Sequence, residues 1–507
     1  MPINHILESA AARSPGSIAL RTADAAVTYG SLADQVVRLA GGFAQLGLVP
    51  GDRLAVLLPN SAELVTTALA AWRRGLIIVP LSGECAPQQH AAILANTGAR
   101  ALVVTPALHG AIPAAALCAL SACIVTGEGL PGCIRHAGLL NADGLPAEGA
   151  DPDPLGLIVY TSGTTGRPKG IAHSQARLAA RAATFVREMT LTADDVALTI
   201  FAALRPVCLV HQFLGMLCAG GCMVLAERPE SDAFWRLYAQ ANPTYSLVMP
   251  SYLRKLMNDP AAPAADHSRL RFLLSGGDQA GPELCRAVRD ITGRPLLNMF
   301  GMTETGALLI QPLDGAYKPG SIGRPAGGVE SRLVGPDGTD VGVDTPGRLL
   351  VRSPNMMVGY WNDTLGTHRA MGSGWLDTRD VAQMDADGYY WFLGRAADVI
   401  VRNAVNVSSA LVVEAMTEHP AVEEAALVGI PDPEAGQAPV AFYRLRADAE
   451  DPGAEELLAW VATRVDTESV PVRCLRLEQL PLTPQGKLDR AQLLRLAEEE
   501  AAAEKRP

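Results

Sequence analysis

The sequence has no basic excess. Its 42 Lys and Arg stand against 53 Asp and Glu, a formal net charge of -11. Nucleic-acid partners usually require a basic face, so that class of function is disfavoured. Residues 1–17 lack a basic segment followed by an apolar run, and no signal peptide is expected. Apolar stretches such as 64–72 are broken by charge well before membrane-spanning length. A soluble, cytoplasmic protein without a membrane partner is the expectation. The nine cysteines include no C-x-x-C pair. Cys218 and Cys222 stand four apart, but no second Cys/His pair lies near them at zinc spacing. The cysteines therefore read as buried small hydrophobes in a reducing compartment. Internal repeats are also lacking. With 49% hydrophobic and 19% charged residues, wholesale disorder is excluded and sizeable cores are allowed.

What is present is an α/β rhythm. The 507 residues are enough for roughly three or four compact units. Residues 32–46 read as an amphipathic helix ending at Gly47, 53–58 as a buried strand and 61–74 as the next helix. Residues 77–81 and 101–104 are further strands, and the alternation returns after 155. Such alternation predicts parallel sheets covered on both faces. From about 320 the texture becomes β-rich, with turn signals at Pro336-Asp337-Gly338 and Asp387-Gly388. An α+β pattern follows Gly394. The Ala-rich stretch 113–122 fits a helix, and 498–507 fits a frayed helix or tail.

One loop carries more chemistry than any other. The strand candidate Leu157-Ile158-Val159-Tyr160 runs into Thr161-Ser162-Gly163-Thr164-Thr165-Gly166-Arg167-Pro168-Lys169-Gly170. Glycines let a backbone approach phosphate, hydroxyls donate to its oxygens, and lysine adds a point charge. It is not a Walker A loop, because no Gly-Lys-Ser/Thr follows at the required spacing. A flexible linker of this composition would seldom sit abruptly between apolar strands.

This loop resembles the phosphate-loop signature of the adenylate-forming (ANL) superfamily: acyl-CoA synthetases, peptide-synthetase adenylation domains and luciferases. Four more segments are similar to that superfamily's motifs, in its order. They are Asn298-Met299-Phe300-Gly301-Met302-Thr303-Glu304, Trp375-Leu376-Asp377-Thr378-Arg379-Asp380, Gly394-Arg395-Ala396-Ala397-Asp398 and Pro481-Leu482-Thr483-Pro484-Gln485-Gly486-Lys487-Leu488. The resemblance implies a large N-terminal domain, 1–394, of parallel-rich sheets with helices plus a β-rich subdomain. A small mobile α+β domain, 395–507, would follow. It implies activation of a small carboxylic acid by ATP and Mg²⁺ to an acyl-AMP, then transfer, with coenzyme A the leading acceptor.

Both reactants are anions, so such a site must neutralise charge and hold an in-line attack. By resemblance Thr161, Ser162, Gly163, Thr164, Thr165, Gly166 and Lys169 hold the β- and γ-phosphates. Thr303 contacts the α-phosphate and Glu304 ligates Mg²⁺. Lys487 reaches the α-phosphate and the attacking carboxylate. Asp380 accepts the ribose hydroxyls, and Arg395 sits near ribose and phosphate. Asn298 faces the adenine amino group and Phe300 stacks on the purine, with Gly301 beside it. Gly277 and Asp278 lie on the other side of the adenine, where Asp278 reads equally well as a turn aspartate. The acyl pocket is assigned to Arg205, His211, Pro250, Ser251 and Met302. Arg205 and His211 compete for one position, and an arginine there would favour a polar or anionic substrate. His173 and His419 read as structural.

The sequence departs from the pattern on the thioester side. Ala397 stands at the hinge position usually held by Asp or Lys, and Ala404 where a glycine guides pantetheine. Leu411 replaces a glutamate, and Arg379 replaces the glycine of Thr-Gly-Asp. An added methyl and the loss of easy positive φ would obstruct pantetheine. The acceptor therefore stays open between coenzyme A, an amine and a carrier protein acting in trans. A homodimer is the other macromolecular association entertained. A relative that binds nucleotide without turnover is disfavoured by the joint presence of Lys169, Glu304, Asp380 and Lys487.

Overall fold

The computed structural model describes the chain apart from residues 1–2, 24, 146–152, 162–168, 228–230, 278–279, 396–399, 403–404, 408, 433–434, 483–487 and 504–507. The strands Arg53–Leu57, Ile77–Pro80 and Ala101–Val104 form where apolar runs were read, and they pair in parallel. They belong to an eight-stranded sheet. At one side of that sheet Leu155–Thr161, Lys169–Ser174 and Gly359–Tyr360 pair antiparallel. A nine-stranded sheet has Val196–Thr199, Cys222–Leu225, Tyr245–Leu247, Phe272–Gly276 and Leu296–Met302 as its parallel centre.

The helix Ala62–Arg73 shows why the two sheets are one body. Ser61 caps it, its Oγ accepting from Leu64 N at 3.2 Å. Every residue from Leu64 to Arg73 is buried, and a helix covered on all sides must lie inside a layered core. Leu64, Leu69 and Trp72 share one cluster with Ile78 and Val103 of one sheet and with Leu198 and Leu274 of the other. The Trp72 indole N–H donates to Gly156 O at 2.7 Å, tying this layer to the strand that enters the hydroxyl-rich loop.

One local reading is shortened. Residues 113–122 hold only a five-residue helix, Ala114–Cys118, before the strand Ala122–Val125. Residues 119–121 are turn and bend, and Ala122 pairs with Ala101. The last helix, Arg490–Ala503, agrees with the helical alternative for the end of the chain as far as 503, with Leu493 and Ala497 buried against the C-terminal sheet. The helical segment after Pro206 contains a π-helical stretch, Leu209–Leu214, a geometry that leaves no mark in a 3.6-residue pattern.

The β-rich part is a four-stranded antiparallel sheet of Glu330–Val334, Gly347–Arg352, Leu376–Met384 and Tyr390–Arg395. Gly338 and Gly388 take φ of +82° and +79° in the turns that the sequence marked. Beyond it, Ile400–Arg402, Val405–Val407, Val422–Asp432, Gly436–Leu445 and Arg473–Arg476 make a separate sheet. Helices Ser409–Thr417 and Gly453–Ala462 contribute to one of its apolar clusters and Arg490–Ala503 to the other. Among the described residues, no helix is long and apolar enough to cross a membrane.

Candidate active site

The hydroxyl-rich loop springs from an antiparallel pair whose last partners are Thr161 and Lys169. Ser162, Gly163, Thr164, Thr165 and Gly166 lie outside the described residues. At the mouth of the loop, Lys169 Nζ stands 5.1 Å from the centre of the Tyr360 ring. Tyr360 Oη donates to Glu304 Oε1 at 3.1 Å. Burial, then the charge and hydrogen bond of Glu304, raises the phenol above its ordinary range, so it remains a donor. Tyr360 reaches this place because Gly359–Tyr360 pairs with Lys169–Ser174. The sequence reading had no signal for it, since a two-residue strand leaves no periodicity.

Thr303 and Glu304 occupy the turn between strands Leu296–Met302 and Gly306–Ile310. Gly301 has to be glycine, because a Cβ there would fall 2.1 Å from Gly306 O on the facing strand. Met357 N donates to Glu304 O at 2.6 Å. The segment holding Met357 is itself clamped. Arg177 Nη1 donates to Met356 O and Met357 O at 2.9 and 2.8 Å, and Arg181 Nε donates to Asn355 O at 2.5 Å. Arg181 Nη2 also donates to His173 Nδ1 at 3.2 Å. Burial, followed by the charge of Arg181, pulls His173 well below its ordinary value. It is a neutral ring accepting at Nδ1. Burial and Arg177 lower Arg181 to about 9, still charged at neutral pH. These two arginines, four residues apart on the helix Gln175–Glu188, brace the Glu304 turn.

Asn298 is buried, and its Nδ2 donates to Ala280 O at 2.9 Å and Ser321 O at 3.1 Å. Those bonds fix which side-chain atom is oxygen. Asn298 Oδ1 has no hydrogen-bond partner among the described residues, an acceptor that suits an exocyclic amine. Gly277 takes φ +87°, and a Cβ there would meet Met249 Cε at 2.8 Å. Asp278 lies outside the described residues. Phe300 packs at 5.9 Å, tilted 35°, against Phe392 of the next sheet. In that sheet Asp380 is 2% exposed, and its Oδ1 lies 2.9 Å from Arg395 Nε. The two residues are direct cross-strand partners.

Arg379 adopts φ +60°, which explains why a glycine suits this position. Its charge opposes the upward shift of Tyr360, so the guanidinium is felt at the Lys169–Glu304 cluster. Arg379→Gly should relieve about 1 kcal/mol of backbone strain, partly offset by the freer unfolded chain. Loss of an exposed cation should at the same time raise the ATP KM by about two- to fivefold. Thermal melts and ATP titrations check the pair. A variant that melts earlier and keeps its ATP KM contradicts both parts.

On the opposite wall, Asn60 pins the chain ahead of Arg205. Its Nδ2 donates to Phe201 O at 2.9 Å and Ala226 O at 2.8 Å, and its Oδ1 accepts from Ala203 N at 2.8 Å. Arg205 is exposed at a helix start, 3.9 Å from Glu84. A Cβ on Gly276 would lie 3.8 Å from Val207 and 3.1 Å from Met299, so these meet at one surface with Met249. Pro250 opens the helix Pro250–Met257, with Ser251 exposed beside it. Met302 is half-buried at the end of the Asn298 strand. His211 is buried in the π-helical stretch. Its Nδ1 donates to Val207 O at 2.7 Å, and its ring sits edge-on to Phe185 at 4.7 Å. Burial lowers it to about 4, so it is neutral. Lys487 lies outside the described residues.

Comparison with known proteins agrees with this geometry. The profile described as AMP-binding enzyme matches residues 7–361, and that of the AMP-binding enzyme C-terminal domain matches 412–487. Indoleacetate–CoA ligase of Aromatoleum aromaticum is 32% identical over 496 residues, 96% of each chain. The crystal structure of the anthranilate CoA ligase AuaEII with anthranoyl-AMP superposes with a TM-score of 0.92 at 25% identity, covering 99% of this chain and 98% of that one. The amide bond synthetase McbA from Marinactinospora thermotolerans superposes with a TM-score of 0.88 at 29% identity, covering 98% and 99%. The α/β architecture with its small C-terminal part is that of these enzymes. The chain belongs to the AMP-binding enzyme family of the ANL superfamily and is an adenylate-forming ligase, which activates a carboxylate and then transfers it.

Proposed function

We propose that this enzyme converts a small carboxylic acid and ATP to acyl-AMP and pyrophosphate, with Mg²⁺, and passes the acyl group to coenzyme A. The observation that carries the reading is the meeting of Lys169, Tyr360 and Glu304 at the mouth of the hydroxyl-rich loop. A cation and a carboxylate held apart by one phenol ring suit a polyphosphate with its counter-ion. Glu304 fits Mg²⁺ as a donor, being a single hard carboxylate oriented by Tyr360, with phosphate oxygens and waters left to complete the shell. When bound, Mg²⁺ supplies charge neutralisation at the phosphates.

The chain's own residues do the rest. Thr161, the hydroxyls of the loop and Lys169 hold the β- and γ-phosphates. Thr303 donates to the α-phosphate. Asn298 accepts from the adenine amine, Phe300 covers the purine, and Asp380 accepts from the ribose. Lys487, on the 395–507 domain, neutralises the carboxylate and α-phosphate during attack. Arg205 faces the carboxylate's own substituent and favours a polar or anionic group. His211, neutral and buried, shapes that wall from behind.

An amine acceptor is the second reading, favoured by Ala404 at the pantetheine glycine position and by the likeness to an amide bond synthetase. ATP–pyrophosphate exchange over a carboxylate panel, repeated on Arg205→Ala, tests the first half-reaction. Product analysis with coenzyme A, amines and a carrier protein tests the second. No exchange with any carboxylate would defeat the proposal. Amide without thioester would replace coenzyme A by an amine.

A further inference from the structure

We propose that His109, Cys123 and Cys133 form a binding site for a thiophilic divalent cation of the Zn²⁺ kind, separate from the nucleotide site. Nε2 or Nδ1 of His109 and the two Sγ atoms all lie within 4.8 Å of one another. Cys133 Sγ is 3.8 Å from His109 Nε2. Tetrahedral zinc, with bonds of about 2.3 Å to sulfur and about 2.0 Å to nitrogen, spaces such ligand atoms by about 3.5–3.8 Å. The three side chains are therefore close to a ligating arrangement before any ion enters.

The fold makes this arrangement reproducible. Cys123 lies in the strand Ala122–Val125, which pairs in parallel with Ile134–Arg135 through Ile124↔Ile134 and Val125↔Arg135. Cys133 directly precedes Ile134, so the register sets the two cysteines side by side. His109 ends the short helix Pro106–His109, which follows the neighbouring strand Ala101–Val104. All three side chains are half-buried, sheltered yet reachable. Four strand spacings separate Ala122–Val125 from Leu155–Thr161 in the sheet order, about 19 Å. The site therefore shares nothing with the phosphate loop.

The chemistry is self-consistent. Without a cation, two cysteines side by side keep their protons at neutral pH, because an ordinary thiol titrates at about 8.5. A divalent ion reverses this. Two Cys–S⁻ and one neutral imidazole balance its charge, two protons leave to solvent, and a water fills the fourth position. Two sulfurs and one nitrogen select against Mg²⁺, so the ion that serves ATP would not compete.

The test uses the full chain, reduced and stripped of metal. Zn²⁺ is titrated against a chromophoric chelator, and Co²⁺ is added separately to read thiolate-to-metal charge transfer. One equivalent of Zn²⁺ with release of two protons and a Co²⁺–thiolate band is the expected result. Cys133→Ser and His109→Gln should each weaken Zn²⁺ binding by at least about 100-fold, while ATP–pyrophosphate exchange and the thermal melt stay at wild-type levels. His109→Gln alone decides the matter should the serine variant fail to fold. Absence of stoichiometric uptake overturns the proposal. So does uptake that both variants leave intact, or a Cys123–Cys133 disulfide whose reduced form takes up no ion.

Discussion

Asp380→Ala should raise the KM for ATP by about 10²–10³-fold while leaving the fold intact. A buried carboxylate accepting two ribose hydroxyls makes two charge-assisted hydrogen bonds, each worth about 1.5–3 kcal/mol and not additive. Asp380 is suited to that task, being 2% exposed and held from the other side by Arg395 Nε at 2.9 Å. Its backbone N–H donates to Thr378 Oγ1 at 3.1 Å, and Thr378 Oγ1 donates in turn to Leu349 O at 2.9 Å, so the carboxylate is aimed by the sheet. The Arg395 side chain is 52% exposed, and water can replace its lost partner at small cost to stability. A second readout separates ribose recognition from general damage. The wild-type enzyme should discriminate against 2′-deoxy-ATP, and the Asp380→Ala enzyme should treat the two nucleotides nearly alike. Retained discrimination with an unchanged KM would remove Asp380 from the ribose site.

Lys487→Ala should slow acyl-AMP formation by about 10²–10³-fold, the usual loss when one donor to a developing anion is deleted. The second half-reaction should respond differently. Supplied with synthetic acyl-AMP and its acceptor, the same variant should turn over within a few-fold of wild type, because that step attacks the acyl carbon rather than the α-phosphorus, and its charge leaves on the departing AMP. A KM for ATP close to wild type would mark the lysine as acting in the transition state rather than in ground-state binding. Equal losses in both half-reactions would sink this division of labour and point to a general structural role.

Much of the scaffold was legible because its signals are local. The helix read at 61–74 is Ala62–Arg73 with Ser61 as its cap, and the strand at 101–104 has those bounds in the structure. Serine caps and glycine turns act over three or four residues, so a sequence displays them directly. The motif residues were legible for a related reason, since phosphate chemistry needs hydroxyls, glycines and cations close together. Asn298, Phe300 and Asp380 are named from short segments by resemblance; the first two lie on one strand of the nine-stranded sheet and Asp380 lies on the four-stranded sheet.

What stayed hidden depends on partners far apart in the chain. Tyr360 stands beside Lys169 only through a pairing that spans nearly two hundred residues. Arg177 and Arg181 lie on the helix Gln175–Glu188, yet their targets are carbonyls at 355–357. Spacing along the chain says nothing of Cys123 and Cys133, which meet through a parallel register that only the folded sheet defines. Residues 113–122 are helical only over Ala114–Cys118, because alanine content speaks for helix without setting where it stops.

The strand Lys169–Ser174 carries a constraint on how this enzyme can diversify. Ile171 packs with the core under the β-rich sheet, whereas Ala172 packs into the eight-stranded sheet's own core. Alternation then gives Lys169, Ile171 and His173 one common side. Inserting or deleting a single residue within this strand would reverse the facing of everything on one side of the change, so that Lys169 and the His173 that Arg181 holds would no longer share a side. Tinkering is therefore shut out of these six positions. If the pocket lies where it is proposed above, change in what the enzyme consumes comes by exchanging side chains around Arg205, Met249 and Ser251.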